Sequence, residues 1–232
     1  MTPTSPTLAR VGPARPVDWL VCFAVKEEAA YFSTLANSLA ARVVVTGMGS
    51  RNATQAIQAA LKEWRPRSVI TAGFAGGLNP VLHRGTVVHD PDDELRIAEE
   101  LKRLGAVPGT FHCARRIAVT TADKAGLWQQ TGADAVEMES SIIRAACREA
   151  GVPSATVRVI SDAAGDDLPL DFNALMTAAG RINWWKFART IAGRPSLIGR
   201  LMEFQRQTRN AARALGGVLQ AVVQRPPVRS QR

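Results

Sequence analysis

Four short apolar runs, separated by stretches with helical patterning, constrain the fold of this chain more than any other feature. The runs cover residues 19–25, 42–46, 68–73 and 154–161. Runs of this length that are mostly apolar are typical of strands that are buried on both faces of a sheet, and residues 19–25 are apolar throughout. Because helical patterns at about 26–40 and 52–64 alternate with the runs, the sequence predicts an α/β fold. Its central sheet is expected to be mixed but mostly parallel, with helices on both sides.

Three further segments are predicted from local pattern. Residues 92–105 and 136–151 are expected to be helical, and residues 117–121 are expected to form a strand. No internal repeat is visible, and a chain of 232 residues corresponds either to one large domain or to one domain with an appendage.

The charge of the chain is concentrated near its C-terminal end. The whole chain carries 29 basic and 20 acidic residues, a net charge of +9. Residues 181–232 contain 11 of the basic residues and a single acid, Glu203, so the rest is nearly neutral. Apolar residues recur every three or four positions from Leu197 onwards. We therefore predict an amphipathic helix with one arginine-rich face.

These patterns divide the chain into three predicted segments. They are a flexible Pro-rich leader at 1–17, a globular domain at 18–180 and a basic amphipathic helical tail at 181–232. A cationic tail favours a polyanionic partner such as an anionic membrane surface, nucleic acid or an acidic protein. A solvated helical face without a partner explains the same charge. Trp184 and Trp185 either lie at the headgroup depth of a membrane or pack on the core.

Several classes of site are excluded by missing motifs. The three cysteines form no C-x-x-C pair and the three histidines show no ligand spacing, so we expect no bound metal. Asn52 stands where a G-x-G-x-x-G motif needs its last glycine, and there is no Gly-Lys-Ser/Thr P-loop. No apolar run approaches the roughly 20 residues of a membrane-spanning helix. We therefore expect neither a cofactor nor a transmembrane segment.

Four polar or glycine-rich segments follow the predicted strands. They cover residues 26–28, 47–52, 73–77 and 161–162. Open α/β sheets bind ligands beyond the carboxyl ends of their strands. Glycine-rich turns leading into helices expose N–H groups that bind phosphate or sugar oxygens, although each alone is more often only a tight turn.

Two further features carry unusual chemistry. Glu137 and Glu139 flank Met138 at the predicted start of a helix. There they either complement the helix dipole or hold the hydroxyls of a diol. Arg158 lies inside a buried apolar run and needs an anionic partner. Glu139, Asp162 and a bound anion are the candidates.

Five of these short motifs occur together in one order. They read AVKEE at 24–28, TGMGSRNA at 46–53, GFAGGL at 73–78, AVEMES at 135–140 and VRVISD at 157–162. With them the chain resembles the nucleoside phosphorylase/nucleosidase superfamily. That superfamily includes purine and uridine phosphorylases and methylthioadenosine/adenosylhomocysteine nucleosidases. Over residues 18–170 the resemblance implies a phosphorylase-like catalytic domain that cleaves N-ribosidic bonds, and it implies a homo-oligomer.

The resemblance implies a role for each catalytic match. Asp162 matches the acid that protonates N7 of the departing purine, and Glu28 matches the glutamate that activates water in nucleosidases. Met138 and Glu139 match the pair that contacts the ribose, where a carboxylate also favours an oxocarbenium-like transition state.

The remaining matches concern anions and the loop near the substrate. Gly49, Ser50, Arg51 and Arg158 fall near the phosphate site of the phosphorylases, and Gly73, Phe74, Gly76 and Gly77 form the glycine loop. Water and inorganic phosphate both stay open as the nucleophile. Phe74 replaces a small hydroxyl residue, so either an oxygen-binding group is missing or the ring serves an apolar substrate.

Within the superfamily the chain looks most like the hopanoid-associated branch. The segments in keeping with that branch are 121–124, 131–133, 162–164 and 168–169. That branch releases adenine from adenosylhopane, a pentacyclic triterpenoid joined to the ribose of adenosine. The resemblance implies an adenosyl-lipid substrate and a cytoplasmic enzyme that is peripheral on the membrane. Its membrane contacts would be Trp184, Trp185, Arg200 and Arg206.

Two other functions stay open. One is a soluble purine nucleoside phosphorylase or methylthioadenosine-type nucleosidase whose tail is merely basic. The other is a non-catalytic module that binds nucleic acid or a membrane through its tail. The pair Glu139 and Asp162 argues against the second, as does the scarcity of aromatic residues suited to base stacking. Nucleic acid is therefore not an expected partner.

Overall fold

The computed structural model describes residues 16–36, 41–177, 183–194 and 196–227. The strands in these ranges are β1 (Val17–Phe23), β2 (Ala41–Val45), β3 (Pro66–Gly77), β4 (Val87–Pro91), β5 (Val107–Pro108), β6 (Phe111–Cys113), β7 (Ala135–Glu137) and β8 (Ser154–Asp162). The helices are α1 (Lys26–Ala36), α2 (Ser50–Trp64), α3 (Ala98–Arg103), α4 (Thr121–Thr131), α5 (Ser140–Glu149), α6 (Phe172–Leu175), α7 (Trp184–Gly193) and α8 (Leu197–Val223).

The strands form one mixed sheet with a parallel centre. Its main order is β2-β1-β3-β8-β4-β5, and the first four strands of that order are parallel to one another. β4 runs antiparallel to β8. β7 pairs antiparallel with the end of β3 and carries β6 beside it. The predicted α/β fold with a mixed, mostly parallel sheet in a single domain is confirmed.

Helices cover both faces of the sheet. Alternate residues of a strand point to opposite faces. Trp19 and Val21 of β1 therefore pack in the core under α1 and α8, whereas Leu20 and Cys22 pack under α2 and α5. Burial on both sides explains why β1 reads as a continuous apolar run.

The amphipathic helix predicted in the C-terminal segment is α8, and its two halves have different environments. The C-terminal half packs into the main core, where Leu215 and Leu219 are buried. Gly216 allows a close approach to α1, since a Cβ there would lie 2.4 Å from Cδ1 of Tyr31. In the N-terminal half large apolar side chains are exposed. Among the described helices, none is both long and apolar enough to cross a membrane.

Residues 1–15 of the predicted leader and residues 178–182 around the predicted boundary at 180 are not among the described residues. The predicted boundary at 17 falls inside β1, which begins at Val17. The three-segment division stays a prediction. The packing nevertheless makes the C-terminal half of α8 a structural part of the domain.

Three of the locally predicted elements are wrong in part or in whole. Residues 117–121 form no strand, because the side chain of Asn173 satisfies both the N–H and the C=O of Ile117. Residues 135–137 form β7, so the helix predicted from 136 begins only at Ser140. The helix predicted at 92–105 is interrupted at Arg96, whose φ of 51° separates a short 3-10 turn from α3.

Candidate active site

Three strands bring the candidate residues together at one edge of the sheet. β1 ends shortly before Glu28, and β8 ends at Asp162. Along β3, Gly73 pairs with Arg158 and Gly76 pairs with Asp162. Two polar centres therefore lie three residues apart along β3, a separation of up to about 10 Å in an extended strand.

Glu28, in the first turn of α1, is a buried carboxylate held by backbone groups. Its Oε2 accepts hydrogen bonds from the N–H groups of Ala24 and Val25 at 3.0 and 3.2 Å, and its Oε1 accepts one from Phe74 at 2.8 Å. Burial raises the pKa of Glu28, against the opposing effects of Arg158 and of these N–H groups. A carboxylate with a raised pKa is suited to take up a proton, which is the task of a general base.

Arg158 is the buried cation of the first polar centre. Its Nη2 donates to Oε2 of Glu137 at 2.7 Å and to Oγ1 of Thr71 at 3.1 Å, and its Nη1 donates to the carbonyl of Ala72 at 2.8 Å. Oε2 of Glu139 lies 4.0 Å from Nη2. The guanidinium is thereby fixed between the sheet and two carboxylates.

Glu137 is the direct anionic partner of Arg158, whereas the sequence suggested Glu139 or Asp162. Its Oε2 also accepts from the N–H groups of Glu139 and Ser140, and its Oε1 accepts from Oγ of Ser140. Burial favours a raised pKa, but Arg158 and these hydrogen bonds outweigh it and lower the pKa of Glu137. Glu137 holds this place because it ends strand β7 instead of starting a helix.

Glu139 lies at the N-cap position of α5 and reaches the glycine turn after β2. Its Oε1 accepts a hydrogen bond from the N–H of Gly49 at 2.9 Å. Burial raises the pKa of Glu139 to about 6, with Arg158 opposing the rise and Glu137 and Glu28 adding to it. This carboxylate therefore changes charge at weakly acidic pH.

Asp162 forms the second polar centre. Its Oδ1 accepts a hydrogen bond from Oγ of Ser161 at 2.6 Å, and its Oδ2 lies 2.6 Å from Nζ of Lys124. Lys124 belongs to α4 and is fully buried. Gly76 faces this pair, since a Cβ there would lie 3.2 Å from Oδ2 of Asp162.

A cleft of about 330 Å³ opens beside Asp162. One wall is the segment that follows β8, and the other is the N-terminal half of α8. Its lining includes Arg84, Asp166, Pro169, Gly199, Arg200 and Phe204. Asp162 is also a lining residue, so the cleft reaches the end of β8.

A family model described as the phosphorylase superfamily matches residues 20–89 and 90–224. The chain belongs to the phosphorylase superfamily. The predicted membership is confirmed, and with it the prediction of an enzyme. The match does not distinguish the hopanoid-associated branch from the others.

Similar proteins of this superfamily have been characterised or solved. The chain is 27% identical to a 5'-methylthioadenosine/S-adenosylhomocysteine nucleosidase of Shewanella sp. (strain W3-18-1) over 183 residues, 63% of this chain and 79% of that protein. Its fold is similar to that of the nucleosidase of the same name from Campylobacter jejuni. The two structures align with a TM-score of 0.66 at 16% sequence identity, and the alignment covers 90% of this chain and 99% of the Campylobacter jejuni chain. The futalosine hydrolase of Helicobacter pylori gives a TM-score of 0.65 at 16% identity over 90% and 97% of the two chains.

The four residues predicted to lie near the phosphate site of the superfamily have two different environments. Gly49 gives its N–H to Glu139, and Arg158 is engaged by carboxylates. Ser50 and Arg51 are exposed on the first turn of α2. An anion at this turn would have to displace the contact between Gly49 and Glu139.

Gly73 is required by the close approach of two charged side chains. A Cβ at this position would lie 2.4 Å from Nη1 of Arg158 and 2.6 Å from Oε1 of Glu28. Its φ of 150° also disfavours larger residues. The glycine therefore allows the guanidinium and the carboxylate to lie against the backbone of β3.

The other predicted substrate neighbours differ in exposure. Phe74 is half-buried and packs against the main core, so part of its ring is committed to packing. Gly77 is buried, and Met138 is half-buried between two buried glutamates.

The residues predicted to contact a membrane lie at the surface. Trp184 and Trp185 open α7 and are 70% and 88% exposed, so they do not pack on the core. Arg200 is exposed and lines the cleft. Arg206 forms an ion pair with Glu203 at 2.7 Å.

Sequence reasoning missed Lys124 and Ser161 as neighbours of Asp162. A lysine near the N-terminal end of a helix is disfavoured by the helix dipole. Its position four residues after Thr120, the N-cap of α4, was the available signal that it has a specific anionic partner.

Proposed function

We propose that the chain hydrolyses the N-ribosidic bond of an adenine nucleoside and releases adenine. The observation that carries the proposal is the arrangement of two polar centres along β3. Glu28, Glu139 and Arg158 form one, and Asp162 forms the other beside a cleft. Their separation of up to about 10 Å suits a nucleoside whose sugar lies at the first and whose base lies at the second.

In the proposed reaction the bond between C1' and N9 breaks and its electron pair stays with the base. Asp162 donates a proton to N7 and so neutralises the leaving group. Glu139 accepts hydrogen bonds from the ribose hydroxyls and stabilises the positive charge that develops on the sugar. Glu28 takes a proton from a water molecule whose oxygen attacks C1'. The products are adenine and the free sugar.

Water is favoured over phosphate because the anion-binding groups already have carboxylate partners. The N–H of Gly49 binds Glu139, and Arg158 binds Glu137. A phosphate dianion at the first centre would also be repelled by the nearby carboxylates. The names of the relatives, which are nucleosidases and a hydrolase, agree with this choice. Phosphorolysis stays the second candidate because Ser50 and Arg51 are accessible.

The test is adenine release from 5'-methylthioadenosine and adenosine by the full chain. In oxygen-18 water without phosphate, we expect free sugar that carries the label at C1'. Asp162→Asn is expected to lower kcat/KM by at least about 100-fold, and Asp93→Asn, at an exposed position, is the matched control. A ribosyl 1-phosphate product that requires added phosphate would replace hydrolysis by phosphorolysis. Full activity of Asp162→Asn would overturn the assignment of the acid.

We further propose that the nucleoside is attached to a lipid of the adenosylhopane type. The N-terminal half of α8 lines the cleft beside Asp162 and also exposes Ile198 and Met202. A helix that contacts the bilayer on one side would thus border the active site on the other. A lipid-linked substrate would reach the cleft without leaving the membrane.

Helix α7 extends this apolar surface. Its Phe187 and Ile191 pack against Leu197, which leaves Trp184 and Trp185 facing outwards. Tryptophan is favoured at headgroup depth. Each nearby basic side chain contributes about 1 kcal/mol of attraction to anionic lipid, and this attraction is screened by salt.

Vesicle sedimentation tests the membrane proposal. We expect binding to phosphatidylcholine vesicles that contain phosphatidylglycerol, weaker binding in high salt, and loss of binding in the double variant Trp184→Ser, Trp185→Ser. Trp128→Ser, on α4, is the matched control. Adenine release from adenosylhopane in those vesicles should exceed release from 5'-methylthioadenosine. Equal binding by the double variant, or turnover of the small nucleoside alone, would contradict the lipid proposal.

Tight RNA binding without adenine release would favour a nucleic-acid module. The homo-oligomer stays a prediction.

A further inference from the structure

We infer that Lys124 is a positioning residue that acts through Asp162 and supplies the proton which Asp162 delivers to the leaving base. The inference rests on the proposed cleavage of the N-ribosidic bond. It concerns a residue that the sequence motifs did not point to.

The Lys124 ammonium is directed at the segment that carries the acid. Nζ donates to the carbonyl of Ala163 at 2.8 Å and to the carbonyl of Asp166 at 2.6 Å, and it lies 2.6 Å from Oδ2 of Asp162. An ammonium group has three donors and no acceptor. Because Lys124 is fully buried, its ammonium group is not accessible to a substrate, so any effect of Lys124 on the reaction must pass through Asp162.

The turn after β8 is fixed from its other side as well. Oδ2 of Asp166 accepts hydrogen bonds from the N–H of Ala163 at 2.7 Å and from Nε of Arg84 at 2.5 Å. The backbone groups that bind Lys124 therefore have a defined place. Oγ of Ser161 holds the other oxygen of Asp162 at 2.6 Å. Both carboxylate oxygens are thus oriented before a ligand enters.

Packing stability does not explain a lysine at this position. Lys124 is fully buried near the start of α4, where both desolvation and the helix dipole disfavour a positive charge. An apolar side chain of similar length would avoid the buried charge but would leave the carbonyls of Ala163 and Asp166 without this donor. Those two bonds hold the turn, and the 2.6 Å approach of Nζ to Oδ2 is the contact through which Lys124 acts on the acid.

The ion pair holds one transferable proton next to the base-binding cleft. As the C1'–N9 electron pair moves onto the base, a proton passes from Nζ of Lys124 to Asp162, and Asp162 passes one proton to N7. Lys124 is left as a neutral amine, Asp162 is again a carboxylate, and Glu28 holds the proton taken from water. After adenine leaves, the amine regains a proton through solvent and Glu28 loses one. Asp162 thus delivers to the base a proton that it receives from Lys124.

The test compares two substrates that differ in their need for an acid. Adenine nucleosides require protonation of the leaving base, whereas 4-nitrophenyl riboside has a leaving group that departs without a proton. Lys124→Met should lower kcat/KM for 5'-methylthioadenosine by about 100-fold, within the range for loss of general acid catalysis. It should change kcat/KM for the nitrophenyl riboside by less than about threefold. Lys62→Met, exposed on α2, is the matched control.

Lys124→Arg provides a second variant that keeps the charge. Arginine does not release its proton in proteins, so the same selective loss of nucleoside activity is expected. If Lys124→Met does not fold, Lys124→Arg is used for the same comparison of substrates. Equal loss of both substrates in the folded variants would show a merely structural role, and wild-type nucleoside activity in either variant would also overturn the inference. A wild-type protein that releases no adenine from 5'-methylthioadenosine, adenosine or adenosylhopane would refute the proposed function instead.

Discussion

Replacing Glu139 by Gln is expected to stabilise the fold at neutral pH. Burial raises the pKa of Glu139 from its ordinary 4.5 to about 6, so the folded protein binds this proton more tightly than the unfolded chain does. Between these two values the free energy of unfolding therefore falls as the pH rises. The pKa difference of about 1.5 units corresponds to about 2 kcal/mol in the free energy of unfolding. This stabilisation is present below about pH 4.5 and is lost in full above about pH 7. The amide of Gln resembles the protonated carboxyl group and does not carry this cost.

Urea unfolding at two pH values measures the effect. At pH 8 the free energy of unfolding of Glu139→Gln should exceed that of the wild type by about 2 kcal/mol, and at pH 4 the two should differ little. The same variant should lose most adenine release, because an amide holds the ribose hydroxyls less tightly than a carboxylate. Glu63→Gln, exposed on α2, is the matched control. A stability difference that is absent at pH 8, or that is the same at both pH values, would refute the electrostatic reasoning.

Three further predictions follow from the same contacts. In pH–activity profiles, kcat/KM for a nucleoside should fall below about pH 6 as Glu139 takes up a proton; a profile that stays level down to pH 5 would contradict this. Gly73→Ala should lower the free energy of unfolding by about 3 kcal/mol and abolish activity, because its Cβ would overlap Arg158. Unchanged thermal stability of that variant would be inconsistent with the packing. Gly216→Ala should cost about 1–3 kcal/mol by pushing Tyr31 away without changing kcat, and a selective loss of kcat would argue against a purely structural contact.

The strands at the centre of the sheet could be predicted because burial on both faces leaves an unbroken apolar signal. β1 is of this kind, and β8 is buried at every position, although its apolar pattern is interrupted by Arg158. β7 could not be predicted, because it has only three residues and exists through its pairing with the end of β3. Without that pairing, the pattern after residue 135 is indistinguishable from the helix that follows it. Because β7 was not predicted, the placement of Glu137 beside Arg158 could not be predicted either.

The residues of the candidate site also divide into those that the sequence could identify and those that it could not. Glu28, Glu139 and Asp162 could be singled out because each follows or adjoins a predicted strand and lies in a short motif. Lys124 could not, because α4 meets the turn after β8 only through tertiary packing, 38 or more residues away along the chain. The tail showed a helical period, but no sequence pattern distinguishes the half of α8 that packs in the core from the half that is exposed.

The excess of buried negative charge is the strongest physical reason to look for a cationic transition state at this site. Arg158 needs one carboxylate to compensate its charge, and Glu137 supplies it at 2.7 Å. Glu28 and Glu139 are additional buried carboxylates with raised pKa values, and they disfavour the folded state when ionised. Such groups are explained if a ligand brings positive charge that develops only during reaction, as the sugar does when its N-ribosidic bond breaks. A phosphate-binding site would need the opposite balance of charge, which is why we infer that the nucleophile is water.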